Sequence, residues 1–158
     1  MVNFKPIGVL NTPFKDLEKM PIQPASASSG EGYADIEPEF AEGLKDLDLF
    51  THVILVYHFH QQQQVNLLVK PFLDETVHGV FATRAPSRPC PIGMSVVKLV
   101  RVEGCRVFLE NLDMLNATPL LDIKPYIPQF DAPEHAGSGW LKGKNDEIEG
   151  RVSDGRFV

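Results

Sequence analysis

Phe50-Thr51-His52-Val53-Ile54-Leu55-Val56-Tyr57-His58-Phe59 is the stretch on which the fold turns. β-branched and aromatic residues run through it, so it reads as a central strand. The same signal returns on both sides. Residues 93–102 and 105–112 are strand runs that flank Glu103-Gly104, a hairpin-like turn. Residues 4–10 are apolar and stop at the turn residues Asn11-Thr12-Pro13. Tyr33, Asp35 and Glu37 alternate with Ala34, Ile36 and Pro38, which predicts a short strand. Residues 79–83 and 120–123 read as two more, the last stopped by Lys124-Pro125. Residues 38–44 read as one or two helical turns, with proline near the start and acids in the first turn. There is no internal repeat and no long amphipathic helix. The class is mainly β: a single-domain closed or nearly closed barrel with long loops and a short helix, and not a Rossmann fold.

Composition sets the limits. The chain has 158 residues, 43% hydrophobic and 23% charged, with a net charge of -6. One domain with a substantial core is expected: a barrel domain over residues 1–131 and a polar tail over 132–158, docked on the barrel or on a partner subunit. An acidic chain is not a generic phosphate-backbone binder. A nucleic-acid partner requires basic groups gathered on one face or supplied by a second subunit. No apolar stretch is long enough to span a membrane, and the N-terminus lacks a basic region followed by an apolar core. Cys90 and Cys105 make neither a disulfide scaffold nor a zinc site. A cytoplasmic location is expected.

Several segments carry chemistry. Arg84 and Arg88 lie four residues apart in a stretch with Pro86, Pro89 and Pro91, too proline-rich for a helix. They sit on a stiff loop. They are either surface arginines on a turn or a site for a carboxylate, a planar anion or a base face. His52, His58 and His60 fall at even positions around one strand, so a continuous strand points all three to one face. They could hold a metal, but no acidic residue follows at a useful spacing, and no metal is expected. The other use is hydrogen bonding from His60 and Gln61 where the strand leaves the core. Asp113-Met114-Leu115-Asn116-Ala117-Thr118-Pro119 is either a turn or a backbone cradle for a ligand. Asp122 and Lys124 share a strand face, as an ion pair or as a proton-handling pair. The Gly-x-Gly-x-x-Gly, Gly-x-Ser-x-Gly and His-Glu-x-x-His motifs are absent. Cys90 lies beside two arginines that favour thiolate, but no histidine is assignable to it.

Taken in order, the string Ile7-Gly8-Val9-Leu10-Asn11-Thr12-Pro13-Phe14, the pair Gln23-Pro24, Phe50-Thr51-His52-Val53-Ile54-Leu55, Phe59-His60-Gln61, residues 79–95 and residues 118–126 resemble the TsaA-like, TrmO-type family of S-adenosylmethionine-dependent methyltransferases. The blocks Phe81-Ala82-Thr83-Arg84 to Arg88-Pro89-Cys90-Pro91-Ile92-Gly93-Met94-Ser95 and Thr118-Pro119-Leu120-Leu121-Asp122-Ile123-Lys124-Pro125-Tyr126 are the specific ones. The resemblance covers roughly residues 4–131.

It implies a small β-barrel that binds S-adenosylmethionine without a Rossmann fold, in a homodimer with the site near the interface. It further implies N6-methylation of threonylcarbamoyladenosine beside the tRNA anticodon. By similarity, Pro21, Ile22, Gln23, His60, Gln61, Arg84, Met94, Leu115, Asn116, Ala117 and Thr118 hold the cofactor. Asp122, Tyr126 and Lys124 are candidates for the catalytic step, and Arg88 or Lys124 for the threonyl carboxylate. Two positions depart from the family pattern: Cys90 stands for an asparagine and Ile22 for an arginine. Many members also carry a further C-terminal domain of which this sequence has almost nothing. If that part grips tRNA, this chain needs a partner, binds tRNA weakly or methylates another substrate. The rival class is an S-adenosylmethionine-binding module or sensor without catalysis.

Overall fold

In a computed structural model, which describes residues 2–16 and 30–144, eight strands are present. They are β1 (Gly8–Asn11), β2 (Gly30–Ile36), β3 (His52–His58), β4 (Leu68–Val69), β5 (His78–Gly79), β6 (Ile92–Glu103), β7 (Arg106–Leu112) and β8 (Thr118–Pro125). Six close into a barrel in the order β1-β2-β7-β6-β3-β8, every pairing antiparallel. β4 and β5 form a separate two-stranded sheet.

The alternation in β3 decides which face is which. Val53, Leu55 and Tyr57 are buried, while His52, Ile54, Val56 and His58 face outward. β6 inserts Gly93, Ser95, Val97 and Leu99 on the same parity. With Leu10, Ala34, Val107, Leu109, Leu112 and Leu120 these make one core inside the barrel. Burial of such aliphatic side chains contributes on the order of 2 kcal/mol each, so the barrel carries most of the folding energy.

Three boundaries differ from the sequence reading, each for a local reason. Residues 79–83 are not a strand. β5 ends at Gly79, and Val80–Ala82 turns as a 3-10 helix, closed by Thr83 N–H and hydroxyl donating to Val80 O at 3.1 and 2.9 Å. The first strand starts later, at Gly8 rather than Phe4, because only from Ile7 onward do partners exist: Ile7 N–H bonds Leu120 O and Gly8 faces Ile36. β8 runs through Lys124 to Pro125, since Pro125 sits opposite Val53 at the strand's last position, where a missing N–H costs least. The helical turns over residues 38–44 are present as the 3-10 helix Pro38–Leu44, and the single α-helix among the described residues is the short α1 (Pro128–Asp131).

Between β3 and β6 the chain builds a small annex on the barrel. Val69, Val80 and Ala85 form its core. Residues beyond the barrel close over it. The Trp140 ring stacks on His78 at 4.7 Å, its Nε1–H donates to Ala82 O at 2.8 Å, and Lys144 Nζ donates to Leu73 O at 2.9 Å. No helix among the described residues is long and apolar enough to cross a membrane.

Candidate functional site

Strand direction brings four connections to one end of the barrel. These are the segment after β1, the exit of β3, the approach to β6 and the β7–β8 link. The β7–β8 link is pinned from several sides. Asn116 Oδ1 accepts Thr12 N–H at 3.0 Å, and Thr12 Oγ1 donates to Met114 O at 2.9 Å. Asn116 N–H donates to Phe14 O at 2.7 Å, and Ala117 N–H to Leu10 O at 2.9 Å. Thr118 Oγ1 closes the turn on Leu115 O at 2.8 Å. Ala117 is left-handed, with φ of 63°. Leu115 and Thr118 are buried, while Asn116 and Ala117 face the mouth more openly.

His60 follows the end of β3, with Nδ1 3.5 Å from Thr118 Oγ1. Burial, and then the neighbouring His58, lower its pKa, so the ring is neutral at neutral pH. Gln61 lies beside it on an exposed turn. Arg84 lies on the annex loop that leads into β6 at this end, exposed, with no hydrogen bond or ion pair among the described residues. Arg88 is a brace for its own loop: Nη1 donates to Thr83 O at 3.3 Å and Ala85 O at 3.5 Å. Met94 points outward from β6, 51% exposed. Thus His60, Gln61, Arg84, Leu115, Asn116, Ala117 and Thr118 share one mouth, and Met94 lies on the adjoining outer wall. Pro21, Ile22 and Gln23 lie outside the described residues.

Beneath that mouth is a polar chain inside the barrel. The Ser95 hydroxyl donates to Asp113 Oδ1 at 2.6 Å and lies 3.0 Å from Tyr57 OH. A serine hydroxyl has one proton, so Tyr57 is the donor to Ser95. Burial pushes the Asp113 carboxyl up to about 6, against the pull of Ser95 and Arg84. Burial and the Asp113 charge also raise the Tyr57 phenol, which stays protonated. Gly93 makes room for this arrangement: a Cβ there would stand 2.3 Å from Tyr57 Cε2. Neither Ser95 nor Tyr57 stands out as a site residue in the sequence. The available signal is parity, since Ser95 is the one hydroxyl on the buried parity of β6.

The remaining candidates lie elsewhere on the barrel wall. Asp122 and Lys124 form an ion pair of 2.7 Å on the outer face. Asp122 and Met94 flank Val56 from its two sides, in one row across β8, β3 and β6. Tyr126 sits near the opposite barrel end, edge-on to His52 with centroids 6.5 Å apart. At about 3.3 Å per residue it is roughly 25 Å along the strand from Thr118. His52 and His58 occupy the two ends of β3, roughly 20 Å apart by the same spacing, so the three histidines do not converge on one point. No group of three metal-binding side chains forms among the described residues. Cys90 is exposed.

The basic residues are mostly neutralised. Lys70, Lys98, Arg101, Lys124 and Lys144 pair with Glu75, Glu110, Glu103, Asp122 and Asp74. Arg84, Arg88 and Lys142 have no such acidic partner among the described residues.

The site can be set beside known proteins. The family described as tRNA-methyltransferase O N-terminal domain matches residues 9–132. A probable S-adenosyl-L-methionine-binding protein of Pyrococcus abyssi is 49% identical over 99% of this chain and 85% of its own length. The tRNA (adenine(37)-N6)-methyltransferase of Rattus norvegicus is 37% identical over 83% of this chain and 32% of its own. The crystal structure of TrmO from Pseudomonas aeruginosa superposes with a TM-score of 0.75 at 38% identity, covering 88% of this chain and 62% of that one. The chain therefore spans most of the archaeal relative and from a third to two thirds of the methyltransferases. By the extent and identity of these matches, this chain belongs to the tRNA-methyltransferase O N-terminal domain family.

Proposed function

We propose that the chain is an S-adenosylmethionine-dependent methyltransferase that N6-methylates threonylcarbamoyladenosine next to the tRNA anticodon. The observation that carries this is the mouth itself. An unpaired guanidinium, Arg84, sits on the loop that leads into β6, at the same barrel end as a rigid turn rich in backbone groups and a neutral histidine, in a member of this family. That donor set fits the cofactor: a cation for its carboxylate, main-chain and amide groups for its base, and the thioether of Met94 and the side chain of Leu115 for its apolar parts. Pro21, Ile22 and Gln23 belong to the same reading.

When bound, S-adenosylmethionine supplies an electrophilic methyl group. The rest is the chain's work, and most of it is positioning. The acceptor is a poorly nucleophilic nitrogen whose proton must leave. Asp122 is the candidate acceptor of that proton, in the same row as Met94, with Lys124 setting its charge. Lys124 and the free N–H groups of Arg88 are the candidates for the threonyl carboxylate. Tyr126, just past the end of β8, is the third candidate for this step.

The partner set belongs to this reading as well. We place the barrel domain at 1–131, with 132–158 as its tail, working in the cytoplasm as a homodimer with the site near the interface. The outward Ile92 and Met94 on β6, both exposed, support such a contact. A second copy would also add cations that this acidic chain lacks. A binding module without catalysis is the competing reading, favoured by the five neutralised basic side chains. Methyl transfer to threonylcarbamoylated tRNA, measured with labelled cofactor, separates the two. Incorporation is expected. Cofactor binding without incorporation on any tRNA would leave the module reading.

A further inference from the structure

The cations of this acidic chain are not spread evenly. Among the described residues Lys15, Lys45, Arg84, Arg88 and Lys142 have no acidic partner. All but Lys45 lie at the mouth end of the barrel or on the annex. Lys15 follows Phe14, whose carbonyl takes the Asn116 N–H, and Lys142 follows Trp140, which is bonded to Ala82 O. Lys45 sits at the far end, on the segment between β2 and β3 that also carries Glu37, Glu39, Glu42, Asp46 and Asp48. The barrel is therefore polarised along its axis. A polyanion is drawn to the mouth and the annex and turned away from the far end.

An exposed ring lies among those free cations. Phe81 is 75% exposed, on the 3-10 turn that follows β5. Its turn is held from three directions. Val80 N–H donates to Leu67 O at 2.9 Å, Trp140 Nε1–H to Ala82 O at 2.8 Å, and Arg88 Nη1 to Thr83 O at 3.3 Å. The last two bonds bring Lys142 and the Arg88 guanidinium beside the turn. Leu67 and Leu68, both exposed, extend its apolar surface on the β4 side. A fixed, exposed ring beside cations that no acid neutralises is the composition of a platform for single-stranded nucleic acid. The ring takes a base face and the cations take phosphates. Phe130 is equally exposed, at 76%, but sits beside Asp131 at the far end.

We propose that the annex face carrying Phe81 is where the anticodon arm of the tRNA docks. Phe81 stacks on an unpaired base of the loop, and Lys142 meets a phosphate beside it. The inference rests on the tRNA reading above, in which Arg88 is a candidate for the threonyl carboxylate. Arg88 braces the Phe81 turn, so a modified adenosine held by Arg88 leaves a neighbouring nucleotide within reach of the ring. Stacking tolerates any base, so this contact grips the loop without reading its sequence.

The test is binding of the full chain to an anticodon stem-loop RNA carrying threonylcarbamoyladenosine, followed by fluorescence anisotropy over a range of salt. Phe81→Ala is expected to weaken binding about tenfold, and Phe81→Tyr, which keeps a ring, less than twofold. Lys142→Gln is expected to weaken binding severalfold and to lower the slope of log affinity against log salt by roughly 0.7. Phe130→Ala and Lys45→Gln, at the far end, are expected to change affinity less than twofold. Equal losses in Phe81→Ala and Phe130→Ala, or no rescue by tyrosine, overturn the proposal. A measurement on the unaltered chain covers a variant that fails to fold. Trp140, the single tryptophan, is bonded to the Phe81 turn, so its emission is expected to change saturably as the RNA binds. RNA binding that leaves the emission unchanged overturns the proposal. If the face belongs instead to a second copy of the chain, Phe81→Ala alters the oligomeric state in sedimentation and leaves RNA affinity intact, which also overturns it. Wild-type protein that neither binds nor methylates the RNA overturns the tRNA reading and this inference with it. Wild type that methylates the RNA, with Phe81→Ala and Lys142→Gln binding as tightly, overturns the inference alone.

Discussion

Ser95 and Asp113 meet across 2.6 Å inside the barrel end, hydroxyl to carboxylate, eighteen residues apart in the chain. A carboxylate in that position is held at the expense of stability. Its folded pKa, about 6, lies above the ordinary 3.8. Between those values the native state binds more protons than the unfolded chain, so stability falls as pH rises through that window. Removing the charge should reverse this. Asp113→Asn is expected to be more stable than wild type at pH 7.5 by about 1–2 kcal/mol, and to show no gain at pH 4. Urea unfolding at the two pH values checks it. A loss of stability at pH 7.5 would mean that the charge is not the costly element.

Gly93 is required by the rings beside it. A methyl there would stand 2.3 Å from Tyr57 Cε2 and 2.8 Å from Phe59 Cζ. Gly93→Ala is expected to cost roughly 2–3 kcal/mol through forced ring displacement, and to alter the near-ultraviolet circular dichroism of the tyrosines. A variant with wild-type stability would show that the rings move freely.

Ala117 holds a left-handed backbone, φ 63°, that alanine rarely adopts. Ala117→Gly relieves about 1–2 kcal/mol of steric strain and returns part of it as chain entropy. A net gain of about 0.5–1 kcal/mol in thermal or urea unfolding is expected. A lower midpoint would count against strain at this position.

The annex that carries Arg84 is latched by the segment beyond the barrel. Trp140 stacks on His78 and bonds Ala82 O, and Lys144 reaches Asp74 Oδ1 at 3.2 Å. Trp140→Ala is expected to speed hydrogen exchange at the Val80 amide, which bonds Leu67 O, about tenfold or more. Unaltered exchange would show that the annex holds itself. His78, then Lys144, keep the Asp74 carboxyl well below its usual range. The latch contribution is therefore present above about pH 4 and is lost as pH falls through the depressed value.

Much of the barrel is legible in the sequence. Strands β3, β6 and β7 come directly from residue type, alternation and the Glu103-Gly104 turn. The misread parts depend on distant partners. Residues 79–83 look like a strand by composition, yet Thr83 closes a turn there, and Trp140 takes the carbonyl of Ala82. Residues Leu115, Asn116, Ala117 and Thr118 are legible as a turn because the short side chains of Asn116, Ala117 and Thr118 advertise one. Asp113 and Ser95 are not. Their chemistry arises from the register that sets β6 beside the end of β7, and no local pattern encodes it. The histidines show the converse. Their even spacing is real, but a strand spreads such residues along its length and does not gather them.

The measurement that bears most directly on the central claim is calorimetric titration of the purified protein with S-adenosylmethionine, beside Arg84→Ala. Saturable binding by the wild type that Arg84→Ala weakens at least tenfold is the predicted result. Absence of binding in the wild type, or full affinity in Arg84→Ala, would contradict the placing of the cofactor at this barrel mouth.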